Sequence, residues 1–130
     1  MNELKVFVYG TLKVGGRFSK RFDSVRTSVK TGSIKGTLYD LGSFPGVKLN
    51  TEESTIFGEV HTYTQAKDVE ASLDRIEGYF GEDHPHNLYN KKQVEVLTEN
   101  GTETCMVYEF AKDVEKFTKV KEGIWKIWKY

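Results

Sequence analysis

Only one stretch of this sequence repeats its apolar residues with a helical period. Between Gln65 and Glu77 (QAKDVEASLDRIE), Val69, Leu73 and Ile76 fall on one stripe, the spacing of a buried helix face. Thr64 stands where an N-cap belongs, and Gly78 where a left-handed residue ends a helix. Most of the other apolar residues come in short runs rich in β-branched and aromatic side chains, which are strand signals. One helix and many short strands cannot build a helical bundle. The pattern predicts an α+β fold with a curled or barrel-like sheet.

The strand signals run as follows along the chain. Lys5–Tyr9 (KVFVY) is a β-rich run that stops at Gly10, and a loop carrying Gly15 and Gly16 follows. Phe18–Phe22 fits one helical turn. Val25–Leu41 contains Gly32 and Gly36 and reads as two β pieces with a bend, the second being Gly36–Asp40. Gly42–Gly46 (GSFPG) is a turn by composition, and Ile56–Tyr63 alternates as a strand does. Tyr79–His86 is irregular. Leu88–Thr98 and Thr104–Phe110 are two strands joined at Asn100-Gly101, a strong hairpin signal. The tail, Asp113–Tyr130, has room for a short helix before its aromatic end. The expectation is about six strands and one main helix.

Composition narrows the function classes. At 130 residues, with no internal repeat or linker-like tract, the chain is expected to form one domain over residues 1–130. Its aromatics (8 Phe, 7 Tyr and 2 Trp) are too many for a disordered chain. Nineteen basic residues balance nineteen acidic ones, so no electrostatic footprint points to nucleic acid or an anionic membrane. A single cysteine, Cys105, excludes an internal disulfide and a cysteine-based zinc site. The N-terminus lacks a signal-peptide pattern and no apolar run is long enough to span a bilayer. A cytoplasmic protein is expected.

Glu77 is the first candidate for chemistry. It lies four residues after Leu73, so its carboxylate shares a face with the apolar stripe. It also falls in the last helical turn, where the macrodipole disfavours negative charge. Burial and dipole both favour the protonated form, so its pKa should be raised, as suits a general base. The bland alternative is a helix-end glutamate that bends out to water. The second candidate is the strand-end loop Tyr9-Gly10-Thr11-Leu12-Lys13, where a glycine lets backbone N–H groups approach a ligand and form an anion nest. It is neither a phosphate-binding P-loop nor a dinucleotide fingerprint. Its bland alternative is a plain turn. His84 and His86, beside Glu82 and Asp83, lack a third strong ligand, so no metal is expected. Cys105 reads as a small core residue. Trp125, Trp128 and Tyr130 read as a tail packed on the body.

Taken together, several stretches resemble the gamma-glutamylcyclotransferase-like family, in particular its gamma-glutamylamine cyclotransferase branch. They are Val8–Lys13 (VYGTLK), Gly36–Tyr39 leading to Phe44-Pro45-Gly46, Gly58-Glu59-Val60, Leu73–Tyr79 (LDRIEGY), Tyr89–Val96, Val107-Tyr108, and the late Gly123 and Trp125. The resemblance implies a small mixed β-barrel with flanking helices. It implies cleavage of gamma-glutamyl amides by internal attack, releasing 5-oxoproline and a free amine, with no cofactor. By resemblance Tyr9, Gly10, Thr11 and Leu12 form the substrate-binding loop, Phe44, Tyr89 and Tyr108 complete the binding set, and Glu77 is the acid/base. The implied partner is a small gamma-glutamyl molecule. Lys91 stands where the resembling motif has arginine, Ile124 where an acidic residue is common, and Phe80–Asn87 is longer than the family's minimal connection. Two rival readings are a non-catalytic module that holds an anionic small molecule in the same pocket, and a protein-contact domain using the aromatic tail.

Overall fold

The structure is a computed structural model, and it describes residues 3–10, 12, 13, 16, 18–49 and 54–125. Eight strands and one α-helix are present among them: β1 (Leu4–Val8), β2 (Arg26–Lys35), β3 (Thr37–Asp40), β4 (Pro45–Lys48), β5 (Thr55–Tyr63), α1 (Ala66–Glu77), β6 (Tyr89–Thr98), β7 (Gly101–Phe110) and β8 (Thr118–Lys119). A 3-10 turn covers Ser19–Phe22. Five strands close a barrel in the order β1-β5-β2-β6-β7. Its pairs are antiparallel except the closing one, where β1 meets β7 in parallel at Val6 and Met106. A second sheet has the order β4-β3-β8. The α+β small mixed barrel expected from the sequence is the fold observed.

Strand alternation divides the core in two. Phe7, Ile34, Val60, Val96, Cys105 and Val107 pack together in one cluster inside the barrel. Their neighbours of opposite parity, Val6 and Val8 of β1 and Met106, Tyr108 and Phe110 of β7, form a second cluster. Val69 and Leu73 of α1 pack into that second cluster, so the helix stripe read from the sequence covers the barrel's outer face. Cys105 is a buried core residue, as expected. Burial pushes its thiol up to about 11.

The Asn100-Gly101 hairpin forms, with Thr98 paired to Gly101. Strand β7 begins at Gly101 itself, three residues earlier than read, because the register continues without a break to Phe110. Three other expectations are corrected. Thr64 is not the N-cap of α1. Gln65 holds that position in a left-handed conformation with no side-chain cap, while Thr64 donates from its N–H (2.8 Å) and its hydroxyl (3.3 Å) to the Val25 carbonyl. A long-range acceptor has drawn the hydroxyl away from the helix N–H groups it would have capped. The turn at Gly42–Gly46 is shorter than read, since Pro45 and Gly46 already belong to β4 and pair with Asp40 and Tyr39. Within the described part of the tail, residues 113–125 contain β8 and no helix. The open edge of β3 offers backbone partners there, and Asp40 and Tyr39 pair with Thr118 and Lys119. Trp125 is buried in the inner cluster, as a packed tail requires. Trp128 and Tyr130 lie outside the described residues.

Candidate active site

Glu77 is the last residue of α1, and the helix end is built to hold it in place. Gly78 adopts the left-handed conformation (φ 64°, ψ 43°) expected of it. The Tyr79 N–H then reaches back to the Asp74 carbonyl at 2.9 Å, and the Gly78 N–H to the Arg75 carbonyl at 3.3 Å. The Gly78 carbonyl accepts from the Leu88 N–H at 2.9 Å, which fastens the start of β6 to the same point. Glu77 thereby faces a cavity of about 90 Å³ between the end of α1, the end of β1 and the outer face of β7.

That cavity brings together the residues singled out from the sequence. Tyr9, Gly10 and Leu12 line it from the end of β1, Phe44 from the β3–β4 turn, and Tyr89 and Tyr108 from β6 and β7. Thr11 lies outside the described residues. The Lys13 N–H closes a turn on the Gly10 carbonyl at 3.0 Å. Gly10 also has a packing reason to be glycine: a Cβ there would stand 2.5 Å from Pro45 Cγ.

The electrostatics follow from what surrounds the carboxyl. Among the described lining residues there is no Lys, Arg or His, and Glu77 is the one carboxylate. Burial alone raises its pKa from 4.5 to about 7. Three phenols share the cavity, and each donates its proton elsewhere. Tyr9 donates to the Tyr108 carbonyl at 2.7 Å, Tyr89 to the Pro45 carbonyl at 2.6 Å, and Tyr108 to Asp74 Oδ1 at 2.7 Å. Burial holds all three phenols well above their ordinary pKa, and the charge of Glu77 adds to the effect at each. No hydrogen bond links Glu77 to a side chain among the described residues. Its carboxylate is left for whatever enters the cavity.

Three residues given no role of their own from the sequence stand beside this site. Asp74 binds Tyr108 from one turn earlier on α1. The signal for it was present, since positions three apart share a helix face. Lys91 bridges Asp74 and Glu70. Lys13 is buried beneath the loop and donates to the Trp125 carbonyl at 2.8 Å, and burial lowers its pKa. His84 and His86 stand 5.6 Å apart in an exposed loop, with Phe80 5.2 Å from His84. Among the described residues no group of three or more His, Cys, Asp or Glu could hold a metal ion.

Known proteins resemble this chain in sequence and fold. A curated relative, the gamma-L-glutamyl-butirosin B gamma-glutamyl cyclotransferase of Niallia circulans, is 30% identical over 109 residues, covering 83% of this chain and 67% of its own. The solved structure of YkqA from Bacillus subtilis superposes with a TM-score of 0.69 at 28% identity, over 96% of this chain. This chain spans only 40% of YkqA. An AIG2-like protein from Mus musculus superposes with a TM-score of 0.74 at 16% identity, covering 97% of this chain and 90% of its own, and supports the fold. The family model described as gamma-glutamyl cyclotransferase, AIG2-like, matches residues 6–127. With nearly the whole chain matched, and the cavity built from the stretches that match, the chain belongs to that enzyme family, the gamma-glutamyl cyclotransferases of AIG2-like type.

Proposed function

We propose that this protein is a gamma-glutamylamine cyclotransferase, one domain with Glu77 as its general acid/base. The observation that carries the reading is a carboxylate on the cavity wall, without a protein partner among the described residues and raised to about 7 by burial. The nucleophile in such a reaction is the substrate's own α-amine, a group with a reference pKa of about 7.7–8.0. Moving its proton to an ordinary glutamate would cost about 4–5 kcal/mol, and moving it to a carboxyl near 7 costs about 1 kcal/mol. That difference is the reason a buried base suits this step.

The bonds balance without water or cofactor. Glu77 takes a proton from the α-ammonium, and the freed amine attacks the γ-amide carbonyl carbon, forming the ring C–N bond. The bond to the leaving amine breaks as Glu77 returns the proton to that nitrogen; Glu77 then takes the second proton that the ring nitrogen still carries and passes it to the released amine. The products are 5-oxoproline and a free amine. Attack within one molecule needs the glutamyl chain folded, and the tight cavity favours that geometry. With no cationic side chain among the described lining residues, backbone N–H groups of the Tyr9–Leu12 loop would receive the substrate carboxylate or the developing oxyanion. Phe44, Tyr89 and Tyr108 wall the glutamyl moiety. The curated relative named for gamma-L-glutamyl-butirosin B supports a gamma-glutamyl substrate. A reducing cytoplasmic setting suits the single buried thiol.

The test is 5-oxoproline release from a panel of gamma-glutamyl amides, with wild type beside Glu77→Gln. Turnover in the variant is expected to fall by roughly 10²–10⁴-fold, with substrate affinity retained within about tenfold. Equal turnover in both proteins would overturn the assignment of Glu77.

A further inference from the structure

Tyr108 shares the cavity with one carboxylate, Glu77, and gives its proton to another, Asp74. Tyr108 is buried, lines the cavity, and lies close enough to Glu77 for that carboxylate to oppose its ionisation. It nevertheless donates to Asp74 Oδ1, at 2.7 Å. Asp74 is held in place for this. The Lys91 ammonium stands 3.1 Å from Asp74 Oδ1 and 3.2 Å from Oδ2, and pairs with Glu70 at 2.5 Å. Lys91 is also the cross-strand partner of Tyr108 in the β6–β7 register, and its ammonium lies 4.8 Å from the Tyr79 ring. Burial pulls the Lys91 amine down, but Glu70 and Asp74 outweigh it and leave its pKa raised. The three residues therefore form a closed arrangement. Lys91 fixes Asp74, and Asp74, which as a carboxylate only accepts, fixes the direction of the Tyr108 hydroxyl.

We propose that Asp74, anchored by Lys91, is a positioning residue that takes the Tyr108 proton and so keeps that phenol from donating to Glu77. This rests on the reading of Glu77 as the base. A hydrogen bond to a charged carboxylate favours the charged form and lowers its pKa. Were Tyr108 to turn toward Glu77, the base would weaken and its oxygens would be occupied before substrate arrived. The other titratable groups facing Glu77 among the described residues are already committed: Tyr9, just past β1, to the Tyr108 carbonyl, and Tyr89 from β6 to the Pro45 carbonyl. Among the described residues, the β3–β4 turn and the start of β4 contribute Phe44 and Pro45 to the wall, and the segment before the 3-10 turn contributes Leu12 and Phe18. Lys13 points to the Trp125 carbonyl. Asp74 is thus the acceptor whose removal frees a proton beside the base. With its own proton engaged, Tyr108 also has only oxygen lone pairs left to offer, which suits an incoming α-ammonium.

The test follows the Glu77 carboxyl carbon by NMR titration, assigned with Glu77→Gln, in wild type, Tyr108→Phe, Asp74→Ala and the double variant; alanine is chosen because an asparagine oxygen would still accept from Tyr108. Wild type should titrate near 7. Tyr108→Phe should leave that midpoint within about 0.3 units, because no donor to Glu77 is lost. Asp74→Ala should lower it by about one unit, and the double variant should restore it. The acid limb of kcat/KM should move with the midpoint, and Asp74→Ala should lose about tenfold in kcat/KM at pH 8. A rise of a unit in Tyr108→Phe, or an unmoved midpoint in a folded Asp74→Ala, would overturn the proposal. Should Asp74→Ala fail to fold, Tyr108→Phe decides alone. The titration needs no substrate, so absence of 5-oxoproline release would count against the proposed reaction and leave this result readable.

Discussion

Glu77→Gln should make the protein more stable while it removes activity, and the gain should depend on pH. In the unfolded chain this carboxyl ionises near 4.5, and in the folded protein near 7. Between those values the folded state holds a proton that the unfolded state has released, so stability falls as pH rises through this window. The loss is absent below about pH 4 and complete above about pH 8. A rise from 4.5 to about 7 converts to about 3 kcal/mol at 1.36 kcal/mol per unit. Glutamine has the same shape and no charge to desolvate. It still leaves an amide facing the cavity, so the net gain should be about 1–3 kcal/mol at pH 8, or several degrees in Tm for a domain of this size. Near pH 4 the two proteins should be equally stable. Urea unfolding of both at pH 4 and pH 8 measures the difference directly. A gap that does not change with pH, or a variant less stable than wild type at pH 8, would refute the claim that burial is what raises this carboxyl.

Two further outcomes can be checked on the same footing. Gly10→Ala places a methyl 2.5 Å from Pro45 Cγ, in contact with backbone-constrained ring atoms that cannot turn aside; it should destabilise by about 1–3 kcal/mol in chemical denaturation, and a neutral result would show that Pro45 gives way. Glu103 accepts from Lys5 of β1 and Lys30 of β2 (3.0 and 2.6 Å), ties both strands to β7, and is lowered from 4.5 to about 2 by the Lys30 and Lys5 hydrogen bonds. Its stabilisation is present above about pH 4.5 and lost as pH falls toward 2, so Glu103→Gln should lower Tm at pH 7 and leave it nearly unchanged near pH 2. Equal Tm differences at both pH values would count against the ion pairs as the cause.

Much of the candidate site was legible because its cues are local. The stripe of Val69, Leu73 and Ile76, with Glu77 in line and Gly78 after it, placed a carboxylate on the packed side of a helix end. The hairpin at Asn100-Gly101 set the β6–β7 pair on which Tyr89, Lys91 and Tyr108 ride. The misread elements are those where a distant partner decided. Thr64 lost its capping role to the Val25 carbonyl, and the tail became a strand because β3 had an open edge. Lys13 passed unremarked as a buried group because its acceptor, the Trp125 carbonyl, lies at the other end of the chain.

The sequence alone determined the α+β class, the helix that ends at Glu77 and the stretches that identify the family, because periodicity, caps and turns depend on residues within about four positions of one another. Only the tertiary structure decided the chemistry of the cavity. The extent to which Glu77 loses water, and the acceptor each phenol chooses, depend on groups far apart in the chain: Tyr108 meets Asp74, Tyr89 meets Pro45, and Tyr9 meets Tyr108. Desolvation and hydrogen-bond direction are properties of the closed barrel with α1 packed on it, and these two quantities set how strong a base the glutamate is.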